Sequence, residues 1–412
     1  MNIIHGVNDI HLPRVAERAL AEQLAAMPAV VLSGARQTGK STLARELIGP
    51  TRTYRSLDEL DVRDLARRQP EALTGTPGKL TLDEVQREPQ LLLAVKQEID
   101  RDRRSGRFLL TGSADLLLMQ GVSESLAGRA SYLTLRPMTR REQLGRGVCG
   151  RWDALVGSTE EEWLSRLGGD DATDDWIQLC LRGGFPTPAV EMQNERERHI
   201  WFSGYVRTYL ERDLRELSSV SSLPDFRRLM QAAALRVGTL VNQTDLARDV
   251  GLSQPTVHRY LNLLETSYLL VRVPAYSVNR TKRLMKSPKL YWGDTGLALF
   301  LAGLSEPAGH HLENLVLNDL LVWRDARKDR AEILHWRTTS GEEVDFVIEM
   351  GESLIPIEVK ATARPTVGDA RHIRSFRREY GDRARPGLIL HTGSTAEWLS
   401  ADALALPWSH VV

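Results

Sequence analysis

Short apolar runs alternate with longer stretches of helical spacing through the first third of the chain. Residues 29–32 (AVVL), 53–58 (TYRSLD), 79–86 (KLTLDEVQ), 107–113 (RFLLTGS) and 131–135 (SYLTL) read as strands. The most apolar of them lack the alternation of a half-solvated strand, which suits a parallel sheet covered on both faces. Residues 42–48 (TLARELI) and 91–100 repeat apolar positions at three and four, the period of a helix packed on one side. A strand–helix alternation of this kind predicts an α/β unit built on a parallel sheet.

The pattern then changes. Residues 147–175 are rich in Gly, Asp and Glu with little periodicity, and read as a linker or surface insertion. A helical stretch at 177–181 runs into Gly183-Gly184-Phe185-Pro186, and residues 194–217 form a long charged helix with Glu211 and Arg215 at helical spacing. Residues 244–250 and 254–265 are two helices separated by Gly251-Leu252-Ser253, with Leu246, Val250, Val257, Leu261 and Leu264 as their core. Strands at 269–275 and 289–292 follow, with 277–286 between them. The tail offers a helix at 312–324, strands at 333–338, 343–349 and 354–360, a basic helical segment at 365–380 and a last strand at 387–391. The expected units are 1–150, 151–220, 221–300 and 301–412.

Composition narrows the classes. The formal net charge is zero, so a nucleic-acid surface must be local. Two cysteines, Cys149 and Cys180, exclude a disulfide framework and a cysteine-rich zinc module. No apolar run approaches the length of a membrane span and no secretory signal opens the chain, so no membrane partner and a cytoplasmic location are expected. Of the 54 basic residues 8 are Lys. Lysine among so many arginines draws attention to Lys40, to Lys282, Lys286 and Lys289, and to Lys360.

Residues 34–42 read GARQTGKST, two glycines four residues apart followed by Lys and Ser. This is the pattern of a phosphate-binding loop between a strand and a helix. Gly34 and Gly39 let the backbone turn its N–H groups onto phosphate, Lys40 supplies a point charge, Ser41 offers a hydroxyl to Mg²⁺, and Thr42 completes the nucleotide-contacting set. Asp83 and Glu84 end the third strand. Asp83 is expected to hold the Mg²⁺ shell and Glu84 to act as general base on the attacking water. Ser113, or Thr111, either senses the γ-phosphate or simply leaves the strand through a turn. Arg129, in SLAGRA, is either an arginine finger serving its own or a neighbouring subunit, or a surface residue. The finger reading requires a homo-oligomer.

Taken together, GARQTGKST, LTLDEVQ, FLLTGS and SLAGR resemble the prokaryotic ATPases of the AAA superfamily whose C-terminal half is catalogued as a domain of unknown function. These are similar to the archaeal ATPase group within the signal-transduction ATPase clade. The motifs GGFP, YLERDL, SPKLYWGDTGL and IEVK extend the resemblance over nearly the whole chain. It implies a five-stranded parallel core, ATP as the nucleotide, and a Gly-x-Pro beside the adenine, matched here by Gly184 and Pro186. A helix C-cap followed by proline explains the same residues equally well. The preference for adenine rests on the resemblance, since no Asn-Lys-x-Asp motif is present.

The helix–turn–helix and the strands after it read as a winged helix. Gln254, Thr256, His258 and Arg259 start the second helix, where base edges would be read. Arg280, Lys282, Arg283, Lys286 and Lys289 would make a phosphate-holding wing. A lid or protein-contact role for the same module competes with DNA binding. In the tail, Glu358 and Lys360 share a strand face. A four-residue loop over 350–353 puts Asp345 directly opposite Glu358. Asp345 and Glu358 would bind Mg²⁺ or Mn²⁺, Lys360 would steady water or oxyanion, and Glu313 would complete the site. This arrangement resembles the PD-(D/E)xK nuclease fold, which is of the restriction-endonuclease-like α/β class. The expectation is an α/β protein with a P-loop AAA-type core, a helical lid with a winged helix, and a nuclease-like tail that cuts or grips DNA. The rivals are an ATP-gated DNA- or protein-binding regulator with an inert tail, and a protein-remodelling ATPase.

Overall fold

Residues Ala29–Ser33 form β1, an inner strand of a five-stranded sheet, buried along its whole length. The computed structural model describes residues 12–46, 52–113, 126–169, 175–208 and 222–412. The other four strands of this sheet are β2 (Arg52–Ser56), β3 (Lys79–Asp83), β4 (Phe108–Thr111) and β5 (Ala130–Thr134), in the order β2-β3-β4-β1-β5, all parallel. Alternate residues of β1 serve opposite faces. Ala29 and Val31 pack with Leu80, Leu82, Phe108 and the helix Leu91–Arg101, whereas Val30 and Leu32 pack with Leu109, Leu133, Leu43 and the helix Ala16–Ala26. Both faces are dry, and this is why the run AVVL has no polar alternation. Because the strands are parallel, Ser33, Asp83 and Thr111 all reach the same edge, where open parallel sheets bind ligands.

Of the segment 147–175, expected as a linker or surface insertion, residues 147–169 are described and carry the helices Trp152–Gly157 and Glu160–Leu167 around two fully buried tryptophans, Trp152 and Trp163. The Trp152 indole and the Gly150 N–H both donate to Asp319 Oδ1, the latter over 2.8 Å, which ties this segment to the tail. Its polar composition concealed two large anchors. The helix Glu195–Tyr205 begins the long charged stretch. Residues 209–217 of that stretch, including YLERDL and the Glu211–Arg215 pair, lie outside the described residues.

Three helices follow: Leu223–Ala234, Gln243–Val250 and Gln254–Thr266. The cap of the second is Asn242, whose carboxamide oxygen accepts from the N–H groups of Thr244 and Asp245. Gly251 at φ +68° turns the chain. Ser253 caps the next helix, accepting from the Thr256 N–H. Strands β6 (Leu270–Val273) and β7 (Lys289–Trp292) pair antiparallel. The connection between them contains the short helix Arg280–Met285 where a wing loop was expected.

The tail opens with the helix Gly309–Ala326, so Glu313 stands in its second turn. A six-stranded sheet follows, built from β8 (Glu332–Arg337), β9 (Glu343–Met350), β10 (Ser353–Lys360), β11 (Gly387–His391), β12 (Glu397–Ser400) and β13 (Ala403–Pro407). Its order is β12-β13-β11-β10-β9-β8, with β10, β11 and β13 parallel and the remaining pairs antiparallel. Thus β11 is not the last strand. The chain end returns to the first unit, where the Arg140 guanidinium donates to the carbonyls of Ser409 and Val412, each over 2.9 Å. Among the described residues no helix is long and apolar enough to cross a membrane.

Candidate functional site

The loop after β1 has the backbone that its glycines allow. Gly34 has φ +147°, and a Cβ there would lie 2.2 Å from the Leu135 carbonyl oxygen, so a side chain is excluded. Gly39 has φ +92° and Gln37, between them, φ +66°. Lys40 opens the next helix, and its buried ammonium donates to the carbonyls of Gly34 (3.1 Å) and Ala35 (2.7 Å). Burial brings it down to about 8, against the pull of Glu84 and Asp83. The loop is braced from outside by Arg14, whose guanidinium donates to the Thr38 carbonyl over 2.9 Å.

Asp83 is the convergence point. Ser41 Oγ donates to its Oδ1 over 3.2 Å, Tyr54 donates to Oδ2 over 2.6 Å, and Thr111 donates to Oδ1 from the end of β4. Hydroxyl and carboxylate oxygens from four elements meet here, hard donors of the kind Mg²⁺ prefers, and Ser41 and Asp83 are the residues that would hold it. Thr42, one residue on, is exposed. Glu84 sits in the left-handed region at φ +58°, costly for a non-glycine residue and found where a side chain must be aimed. Its carboxylate accepts from the Gln86 amide, which also donates to Ser113 Oγ over 2.9 Å. Burial raises the Glu84 carboxyl above its usual range, opposed by Gln86 and Lys40. Tyr54 and Gln86 were not singled out in the sequence, although both lie inside stretches read as strand or motif.

Residues 183–186 cover this loop. Gly183, at φ +69°, ends the helix Trp176–Arg182. Buried Asp294 then accepts from the N–H groups of Gly184 (2.6 Å), Phe185 (3.2 Å) and Leu297 (2.7 Å). Burial raises its carboxyl to about 6 despite these donors. The Pro186 ring lies 3.8 Å from where a Cβ on Gly39 would stand, and Tyr205 donates to the Arg36 carbonyl over 3.3 Å. Asp294 lies in SPKLYWGDTGL, a motif with no role assigned from sequence.

In the tail, pairing of Ile357 with Phe346 sets Asp345 opposite Glu358. The turn is two residues, 351–352, rather than four, because Met350 and Ser353 also pair; the loss is symmetric and the register unchanged. Asp345 Oδ2 accepts from the Val359 N–H over 2.9 Å. Lys360 donates to Glu358 Oε2 over 2.7 Å, and His372 Nδ1 lies 3.4 Å from Oε1. Burial and Asp345 push the Glu358 carboxyl up. A cation from outside the tail sheet completes the cluster: Lys289 Nζ is 2.7 Å from Glu343, 3.2 Å from Asp345 and 3.4 Å from Glu313. Tyr291 donates to Glu313 over 3.0 Å. Burial would lower the Lys289 ammonium, yet Asp345, Tyr291, Glu313 and Glu343 together lift it above its ordinary value. Burial and Asp345 raise the Glu313 carboxyl to about 8. Of the set expected to hold Mg²⁺ or Mn²⁺, Asp345 and Glu313 are thus arranged around the Lys289 ammonium, while Glu358 pairs with Lys360. Among the described residues no group of three or more His, Cys, Asp or Glu is disposed to hold a metal ion.

Residues 26–144 match the AAA domain family, 173–308 a domain of unknown function (DUF8612) and 308–411 another (DUF4143). Over 411 residues the chain is 31% identical to uncharacterized protein Rv2008c of Mycobacterium tuberculosis and equally to uncharacterized protein Mb2031c of Mycobacterium bovis. The match covers 97% of this chain and 84% of each relative. The chain belongs to one family with these two proteins, and its first unit is a P-loop AAA-type ATPase domain. Among solved structures, the walker-type ATPase PABY2304 of Pyrococcus abyssi is 16% identical, with a TM-score of 0.45 over 71% of this chain and 99% of that one.

Within the AAA domain, Arg129 stands just before β5, at the strand end opposite the phosphate loop, and pairs with Asp100 through two contacts of 2.6 and 3.0 Å. It cannot reach a phosphate held by its own loop, so the reading in cis is corrected. Two of the five cations expected in a wing are also corrected. Arg283 is buried against Glu349 (2.8 Å) and Glu332 (3.1 Å), and Lys289 is buried as described. Arg280, Lys282 and Lys286 are exposed, as are Gln254, His258 and Arg259, with Thr256 half-buried.

Proposed function

We propose that the protein is an Mg²⁺-dependent ATPase that acts on DNA, with a nuclease-like tail that cuts or grips DNA. The observation that carries the ATPase half is the Ser41 hydroxyl 3.2 Å from the Asp83 carboxylate, beside a buried Lys40. Mg²⁺ held by Ser41 and Asp83 would neutralise charge on the β- and γ-phosphates. Lys40 exchanges its two carbonyl partners for phosphate oxygens. Glu84, aimed by its left-handed backbone and the Gln86 amide, takes the proton of the attacking water at its carboxylate. Ser113, joined to Glu84 through Gln86, reports the state of the γ-phosphate side. Gly184 and Pro186, in a segment that Asp294 pins through the N–H groups of Gly184 and Phe185, close over the loop and keep bulk water from it.

DNA contact is supported by a smaller surface than the sequence suggested. Exposed Arg280, Lys282 and Lys286 hold phosphates, and Gln254, Thr256, His258 and Arg259 face the bases from a winged-helix-like unit. Arg129 serves the loop of a neighbouring subunit in a homo-oligomer. The test is duplex affinity against salt for wild type and a triple reversal, Arg280→Glu, Lys282→Glu and Lys286→Glu. A steep slope that flattens in the variant supports DNA as the partner; equal slopes reject it.

A second reading, an ATP-gated binding protein with an inert tail, is favoured by Lys289 among the tail carboxylates. Cleavage of linear, branched and single-stranded DNA with Mg²⁺ or Mn²⁺, lost in Lys360→Ala, would reject it.

A further inference from the structure

We infer that Lys289 is a tethered cation that closes the tail's carboxylate cluster to divalent metal. The inference rests on reading the tail as nuclease-like. The ammonium comes from β7, outside the tail sheet, and is almost wholly shielded from solvent. It contacts carboxylates from two tail elements, Glu313 on the helix Gly309–Ala326 and Glu343 and Asp345 on β9. Tyr291, one turn of the strand pleat away on β7, ties Glu313 into the same group. Glu343 was not part of the set read from the sequence.

Metal and ammonium compete for the same oxygens. A small divalent ion needs carboxylate oxygens at about 2.1 Å, drawn in around one centre. Here those oxygens stand 2.7 to 3.4 Å from Nζ, the spacing of an ion-paired ammonium. A divalent ion cannot share the centre with Lys289, because two cations at contact distance in a buried site repel strongly. The tail therefore takes up a divalent ion only in a state in which β7 has carried the ammonium away. Lys360, by contrast, pairs with Glu358 at the edge of this group and remains half-exposed. The two lysines thus have different work: Lys289 holds Asp345 and Glu313, two of the carboxylates a metal would need, and Lys360 pairs with the third, Glu358.

The test titrates Mn²⁺ into the nucleotide-free full-length protein and follows free Mn²⁺ by electron paramagnetic resonance. Wild type, Asp345→Asn, Lys289→Met and the Lys289→Met/Asp345→Asn pair are compared. Wild type is expected to bind no Mn²⁺ that Asp345→Asn removes. Lys289→Met is expected to gain one site, about tenfold or more tighter than anything in wild type, and to lose it in the double variant. A wild-type site abolished by Asp345→Asn would overturn the inference, as would a folded Lys289→Met that gains none. Should Lys289→Met not fold, Lys289→Gln replaces it and the wild-type titration still decides. DNA cleavage assays on the same proteins separate the two layers. Lys289→Met that binds Mn²⁺ without cutting leaves the closure intact and rejects the nuclease reading. Wild type that cuts with Mn²⁺, dependent on Lys360, sustains that reading and rejects the closure.

Discussion

Lys289 Nζ lies 3.2 Å from the Asp345 carboxylate, across 56 positions of sequence. The contact joins the two-stranded β6–β7 ribbon to the tail sheet and uses charge where most of the surrounding interface uses apolar side chains. Removing the ammonium takes the ion-pair partner from Glu313 and Asp345, while Glu343 keeps Arg337 at 2.7 Å. Lys289→Met is therefore expected to destabilise the metal-free protein by about 3 to 5 kcal/mol, the usual cost of breaking a buried ion pair from one side. Urea unfolding in the presence of a chelator measures it. A change below about 1 kcal/mol would mean the cluster sheds its charge by protonation instead.

Arg283 and Lys282 are neighbours in sequence and opposite in environment. Arg283 is buried on Glu349 and lies over the Tyr276 ring at 4.8 Å, whereas Lys282 is exposed. Arg283→Ala should lower the unfolding midpoint and leave the salt slope of DNA binding alone. Lys282→Glu should leave stability alone and reduce that slope by about one unit. The two measurements on the two variants check the assignment, and a reversed pattern refutes it.

Much of the nucleotide site was legible because its signals are local. A phosphate loop needs two glycines and a lysine within nine residues, and Asp83 and Glu84 are adjacent at a strand end. The opposition of Asp345 and Glu358 was legible for a related reason, since an even hairpin loop puts both on one face and a turn centred between 351 and 352 sets them opposite. What failed was partner choice across the chain. Arg283 looked like a wing cation because its partner Glu349 is 66 positions away, and no local pattern announces such a pair. Segment 147–175 looked like a linker because composition averages over Trp152 and Trp163, whose burial depends on elements beyond it. Asp294 was inside a recognised motif, but its work on Gly184 and Phe185 is a contact over more than 100 positions.

Asp294 is expected to matter for nucleotide affinity without touching nucleotide. Asp294→Ala strips the acceptor from three buried N–H groups, each costing about 1 to 3 kcal/mol when left unpaired. Residues 183–186 should then loosen from Gly39. Steady-state kinetics should show the KM for ATP rising more than kcat falls. An unchanged KM in a folded variant would detach 183–186 from the nucleotide site.

The lowered ammonium of Lys40 gives a pH signature. The free protein loses that proton through about pH 8, while a bound triphosphate holds the lysine charged. Binding above pH 8 therefore takes up a proton, and affinity falls as pH rises, by at most about tenfold per unit. Calorimetric titration of ATP at pH 7.0 and 9.5 in buffers of different ionisation enthalpy checks both the fall and the proton uptake. Flat affinity across that range would mean Lys40 stays charged in the free loop.

The most direct test of the account is ATP turnover by the full-length protein, with and without duplex DNA, beside Lys40→Ala and Glu84→Gln. Wild type should hydrolyse ATP in Mg²⁺ and do so faster with DNA. Lys40→Ala should lose binding, and Glu84→Gln should bind ATP and lose about 100-fold or more in turnover, the scale of a general base. Undiminished hydrolysis in either variant, or wild type that binds no ATP, would contradict the assignment of the site.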